Sequence, residues 1–178
     1  ATQGSTFSWS VDGKDAAITD SIFKFYSDAL GNHTITVSAS GNERKSSAQT
    51  SVTVYGKYKY GTFILNEGNM TSDNGSLIFI SPGGVITEDA YFKVNGTKLG
   101  NVTQDLFIRQ NRMYIISQNG NKNAVGTAFA NDGILVIANA ETLKKEEAYN
   151  SELAALSWPT HIAVLNDENL IIRDNAGL

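Results

Sequence analysis

The sequence predicts an all-β protein, and three observations carry the prediction. Apolar residues alternate with polar ones or run in short blocks, as in Thr34-Ile35-Thr36-Val37 and Ile134-Leu135-Val136-Ile137, the periods of half-buried and fully buried strands. Turn pairs recur between these runs: Asp12-Gly13, Asn74-Gly75, Gly83-Gly84, Asn95-Gly96, Asn119-Gly120 and Asp132-Gly133. Such pairs tolerate the positive φ of tight hairpins. Finally, the 178 residues include 16 Gly and only 2 Pro, so breaks between elements fall to glycine-type turns. One stretch, Ala140 to Leu156, tolerates a helix through Leu143, Glu146, Glu147, Leu153 and Leu156. A strand end followed by a long loop fits it as well.

Residues 1–56 hold four or five short strands. Phe7, Trp9 and Val11 alternate up to Asp12-Gly13, Phe23 and Phe25 alternate, and Gly31 opens a run that places His33, Ile35, Val37 and Ala39 on one face. Val52 and Val54 close the segment in phase. One apolar face per strand predicts two sheets over a shared core. This part, Phe7-Ser-Trp9-Ser-Val11-Asp12-Gly13 through Gly31-Asn-His33-Thr-Ile35-Thr-Val37 and Val52-Thr-Val54, resembles a PKD-like module, a small immunoglobulin-like β-sandwich. His33 stands where that family usually has Tyr, and the first strand of the sandwich is missing. The resemblance implies a spacer on an exported protein, so His33 is expected to be structural.

Residues 57–178 begin at the polar, aromatic Lys57 to Tyr60. They contain a partial repeat. Gln104-Asp105 leads into Leu106-Phe107-Ile108, a turn at Gln110-Asn111-Arg112, and Met113 to Ser117. Then Thr160-His161 leads into Ile162-Ala163-Val164, a turn at Asn166 to Asn169, and Leu170 to Arg173. The spacing from Gln104 to His161 is 57 residues. A blade takes ~40–50 residues, so the excess predicts an insertion around Asn119 to Asn131. Inner strand, turn, second strand is how propeller blades are written. With Phe63-Ile-Leu65-Asn66-Glu67-Gly68-Asn69 and Asn74-Gly75-Ser76-Leu77, the segment is similar to the start of a YncE-like, DUF5074-type β-propeller, with Asn139 where the family usually has Asp. The expectation is therefore a sandwich followed by about two to three four-stranded blades. Complete propellers of this type have about seven, which implies a piece of a longer protein; the alternative is a complete small β-protein.

Composition closes off several function classes. A net charge of −4 and a pI near 5.1 argue against a nucleic-acid or anionic-membrane surface. Zero cysteines remove disulfides, thiolate metal sites and cysteine nucleophiles together. No apolar run reaches the ~18 residues of a membrane-spanning helix, and no nucleophile elbow, zinc-protease helix, Walker loop or dinucleotide fingerprint is present. No cofactor and no metal are expected.

In a propeller, the starts of the innermost strands ring the central channel. Gln104, Asp105, Thr160 and His161 occupy such places and are the candidate ligand-binding residues, with ordinary loop polarity as the competing reading. Glu67, Asn69 and Asp73 lie in a Gly- and Asn-rich loop that offers oxygen ligands of the kind Ca²⁺ takes. The EF-hand spacing is absent there, so a solvated turn is the simpler reading; Glu67 and Asn69 are retained as ligand-binding candidates. The resemblance implies a Gram-negative cell-surface or secreted protein, outer-membrane or periplasmic, with any lipid anchor outside this chain. Its propeller would capture a nutrient (glycan, peptide or cobalamin-like) for a TonB-dependent outer-membrane transporter. The alternatives are a propeller enzyme, lactonase- or quinoprotein-like, and a structural or adhesive surface protein.

Overall fold

The computed structural model describes residues 5–41 and 44–177. The chain divides into two compact units, Ala1–Gly56 and Lys57–Leu178.

Unit 1 is a single antiparallel sheet. Its strands are β1 (Thr6–Val11), β2 (Lys14–Asp15), β3 (Gly31–Gly41) and β4 (Arg44–Val54), in the order β2-β1-β3-β4. Trp9 pairs with Val37 and Val11 with Ile35, which stacks the alternating apolar residues of both strands on one face. The second sheet expected from the alternation of Phe23 and Phe25 is absent among the described residues. The segment that carries them runs from 16 to 30 without a ladder. Phe23 lies 5.4 Å from Trp9 and Phe25 lies 5.3 Å from His33. The alternation is real, but it serves aromatic cover over a sheet rather than strand pairing. β4 likewise departs from the expectation: all of its residues but the last are exposed on both faces, because no layer covers either side of this edge strand.

Unit 2 is a succession of small antiparallel sheets. The first holds β5 (Thr62–Asn66), β6 (Ser76–Ile80) and β7 (Ile86–Thr87) in that order. A short helix, α1 (Ala90–Asn95), follows, closed by Gly96 at φ 68° with its N–H donated to the Phe92 carbonyl at 2.8 Å; left-handed glycine at this place is the common helix stop. Next comes a four-stranded meander of β8 (Asn101–Arg109), β9 (Arg112–Gly120), β10 (Leu135–Asn139) and β11 (Lys145–Tyr149), and then the hairpin β12 (His161–Val164) and β13 (Leu170–Arg173). The fold is thus all-β, a set of small antiparallel sheets consistent with a partial propeller, with one sheet of four strands flanked by sheets of three and two.

The two central strands of the meander, β9 and β10, are covered on both faces. Met113, Ile115, Val136 and Ala138 pack into one cluster with Leu77, Phe79 and Tyr91 from the first sheet and α1. Tyr114, Ile116, Leu135 and Ile137 point the other way and meet Ile162 and Val164 of β12. Burial on both sides is why these strands read as continuous apolar runs instead of alternating ones. The 57-residue repeat is stretched where expected, by a loop between β9 and β10 tied by a bridge between Lys122 and Ala128. The helix weighed for Ala140 to Leu156 does not form. β11 occupies its centre, followed by one 3₁₀ turn at Ser151–Leu153. Asn139 takes the turn role that Asp has in the resembling family. Its Oδ1 accepts the N–H groups of Glu141 and Thr142, both at 3.0 Å.

Candidate functional site

The three first strands, β5, β8 and β12, lie side by side in unit 2, and polar staples tie each to the next. From β5 to β8, the Thr103 hydroxyl donates to the Asn66 carbonyl at 2.6 Å, and Gln104 Nε2 donates to Glu67 Oε1 at 2.9 Å. From β8 to β12, Asp105 Oδ2 accepts the Ile162 N–H at 3.0 Å and stands 3.5 Å from His161 Nδ1. The other Asp105 oxygen accepts the Leu106 N–H at 2.9 Å.

The backbone of β8 is bent to make these contacts. Val102 has φ 59° and is completely buried, a conformation that is an outlier for a β-branched residue. The register of β8 on β9 shifts on both sides of Thr103. Such bulges re-aim side chains, and here they leave Thr103 and Gln104 directed at the end of β5. Gly75 permits the close approach. A Cβ there would stand 2.3 Å from Thr103 Oγ1.

The structure places the six candidate residues as follows. Gln104 and Glu67 come together, and Asp105 and His161 come together. Thr160 turns to its own hairpin, donating to the Arg173 carbonyl at 3.3 Å. Asn69 is spent in a turn: its Oδ1 accepts the Thr71 N–H at 2.9 Å and the Ser72 N–H at 3.1 Å. Asp73, weighed with it for Ca²⁺, is bound by Lys98 Nζ at 2.8 Å, and that ammonium holds its carboxyl below the usual carboxylate range. Among the described residues no group of three or more His, Asp or Glu is placed to hold a metal ion. His161 keeps a side chain 65% exposed, whereas Asp105 is one-third exposed. Chemically, then, the outward groups are a carboxylate, an amide and an imidazole, all suited to hydrogen bonding.

Asp105 is chiefly a connector, a role that sequence reasoning missed. Asp105→Ala leaves two backbone N–H groups without their partner and is expected to cost unit 2 about 1–3 kcal/mol, read as a lowered urea midpoint. His161→Ala leaves those bonds intact and should change stability by less than about 0.5 kcal/mol. The cavities lie away from these residues, and two of them flank the sheets of the two units. One, of about 450 Å³, opens on unit 1 beside Phe7 and Ala39; the other, of about 270 Å³, lies between the outer part of the meander and the Asn166–Asn169 turn.

Sequential antiparallel sheets with adjoining first strands define a β-propeller-type domain. A family profile described as a domain of unknown function, DUF5074, matches residues 60–178, and the chain belongs to that family. A comparison with curated proteins gives no match. Among solved structures, the chain is similar to a quinoprotein alcohol dehydrogenase-like protein from Bacteroides thetaiotaomicron, with 18% identity and a TM-score of 0.43. The match covers 96% of this chain and 37% of the other, so the chain spans little more than a third of that structure's length.

Proposed function

We propose that the protein is a non-enzymatic binding protein of the bacterial cell surface or a secreted one. Its propeller-type unit captures a nutrient, a glycan, peptide or cobalamin-like compound, for a TonB-dependent outer-membrane uptake system. The first unit, PKD-like in sequence, serves as a spacer. The observation that carries this reading is the pairing of half-buried with exposed polar groups at adjoining first strands, Gln104 with Glu67 and Asp105 with His161. In a propeller these positions ring the channel, and hydrogen-bonding groups without an activated nucleophile suit capture better than turnover.

The test is calorimetric titration of the full-length protein with a panel of glycans, peptides and corrinoids. Binding by one class is expected, weakened about tenfold, or ~1.4 kcal/mol, in Gln104→Ala and in His161→Ala. No binding across the panel would overturn the reading, as would binding that neither substitution alters.

A further inference from the structure

His33 lies on β3, 9% exposed, with both ring nitrogens facing acceptors. Nδ1 is 2.7 Å from Asp12 Oδ2, in the β1–β2 turn, and Nε2 is 2.9 Å from the Ala29 carbonyl oxygen, in the segment that crosses the sheet. A carbonyl oxygen only accepts. The Asp12 carboxylate is an acceptor as well: its Oδ1 takes the Thr34 N–H at 2.8 Å. That N–H, and then His33, hold its carboxyl below the ordinary carboxylate range. A neutral imidazole carries one N–H, so it can satisfy only one of these two acceptors; the imidazolium satisfies both. The bonds to Ala29 and then Asp12 raise the imidazole above its usual range.

Among the described residues, Asp12 is the one charge bonded to the ring. Phe25 covers it at 5.3 Å, and its partner across β4 is the uncharged Val52. Lys14, Asp15, Lys24 and Tyr26 line the same groove of about 500 Å³, which is open to water, so His33 can exchange protons with solvent.

We propose that His33 is held as the doubly protonated imidazolium and acts as a proton-operated latch that fastens the 16–30 segment to the sheet of unit 1. When the proton leaves Nε2 for solvent, Nδ1–H stays with the Asp12 carboxylate and the Ala29 carbonyl loses its donor. The segment released there is the one that lays Phe23 over Trp9 and accepts the Trp9 indole N–H at the Asp20 carbonyl, 2.9 Å away. Because the folded-state affinity for the proton is raised, the latch is fully closed below about pH 6.5 and opens as pH rises through the folded value.

The experiment uses the full chain. Ring ¹⁵N chemical shifts of His33 are followed by NMR from pH 5 to 9. His33 is expected to keep both N–H groups to a pH above the ordinary imidazole midpoint of about 6.5. Asp12→Asn retains an oxygen for the Thr34 N–H but turns an amide donor toward Nδ1, and should lower the His33 midpoint by about one unit or more. A His33 that carries a single N–H at neutral pH, or titrates at or below about pH 6.5, overturns the latch. So does a midpoint that Asp12→Asn leaves unmoved; if that variant fails to fold, the titration of the unaltered chain decides alone.

Discussion

Phe79→Ala is expected to destabilise unit 2 by about 3–5 kcal/mol. Phe79 is 1% exposed and packs at 4.9 Å edge-on to Tyr58 and at 5.1 Å to Phe63. It belongs to the cluster that joins the first sheet and α1 to the meander. Removing the ring takes away buried area and two aromatic contacts, and strands on either side cannot collapse into the space without breaking their ladders. Against a total stability of ~5–15 kcal/mol, the loss is a large fraction. Urea titration should show a much lower midpoint for Phe79→Ala and a smaller drop for Phe79→Leu, which keeps most of the volume. An unchanged midpoint for Phe79→Ala would mean that the first sheet does not pack on the meander.

The second large effect is expected at Asp132, whose side chain is 8% exposed. It accepts from Lys145 Nζ at 2.6 Å, from the Tyr91 hydroxyl at 2.7 Å and from the Thr97 hydroxyl at 2.5 Å. Burial alone would raise its pKa, but the donors, Lys145 foremost, outweigh burial and hold it below the ordinary carboxylate value. Asp132→Ala leaves the buried Tyr91 hydroxyl without its acceptor and removes the partner of Lys145, and should cost about 2–3 kcal/mol at pH 7. A depressed carboxylate contributes stability that is complete above its unfolded pKa, near 3.9, and fades as pH falls through the lower folded value. The gap between the parent chain and Asp132→Ala should therefore be widest at neutral pH and narrow below about pH 4, measured as the difference in urea midpoints. A gap independent of pH would mean that the carboxylate charge is not what binds the donors.

The parts of the fold that were legible in the sequence are those where burial dictates the pattern. Met113 to Ser117 and Ile134 to Ile137 read as strands because both faces are covered. β11 was not legible as a strand: Lys145-Glu146-Glu147-Ala148-Tyr149 is an outer strand with little burial, so its polar sequence satisfies a helix equally well. The six-residue α1 is too short to show a period. In unit 1, the alternation at Phe23 and Phe25 gives the side-chain face but not whether the backbone finds a partner. At the candidate site, the repeat spacing matched the Gln104-Asp105 stretch to Thr160-His161, and the structure brings Asp105 beside His161. The pairing of Gln104 with Glu67, 37 residues apart on different sheets, has no sequence signal, because a bulge at a buried valine creates it.

A sheet that is apolar on both sides loses the usual safeguard against misalignment. Where one face meets water, a slip by a single residue is penalised by exposing the greasy side; in the meander a slipped strand would find oil in either direction. Alignment must then be enforced by charges at the margins. Arg112, opposite Asn139 and gripped by Glu146 at 2.8 Å and Glu147 at 2.6 Å, would be carried one step along β10 and dragged off both carboxylates. Neutralising that arginine should therefore cost fidelity of pairing, visible as heterogeneous amide spectra, before it costs much free energy.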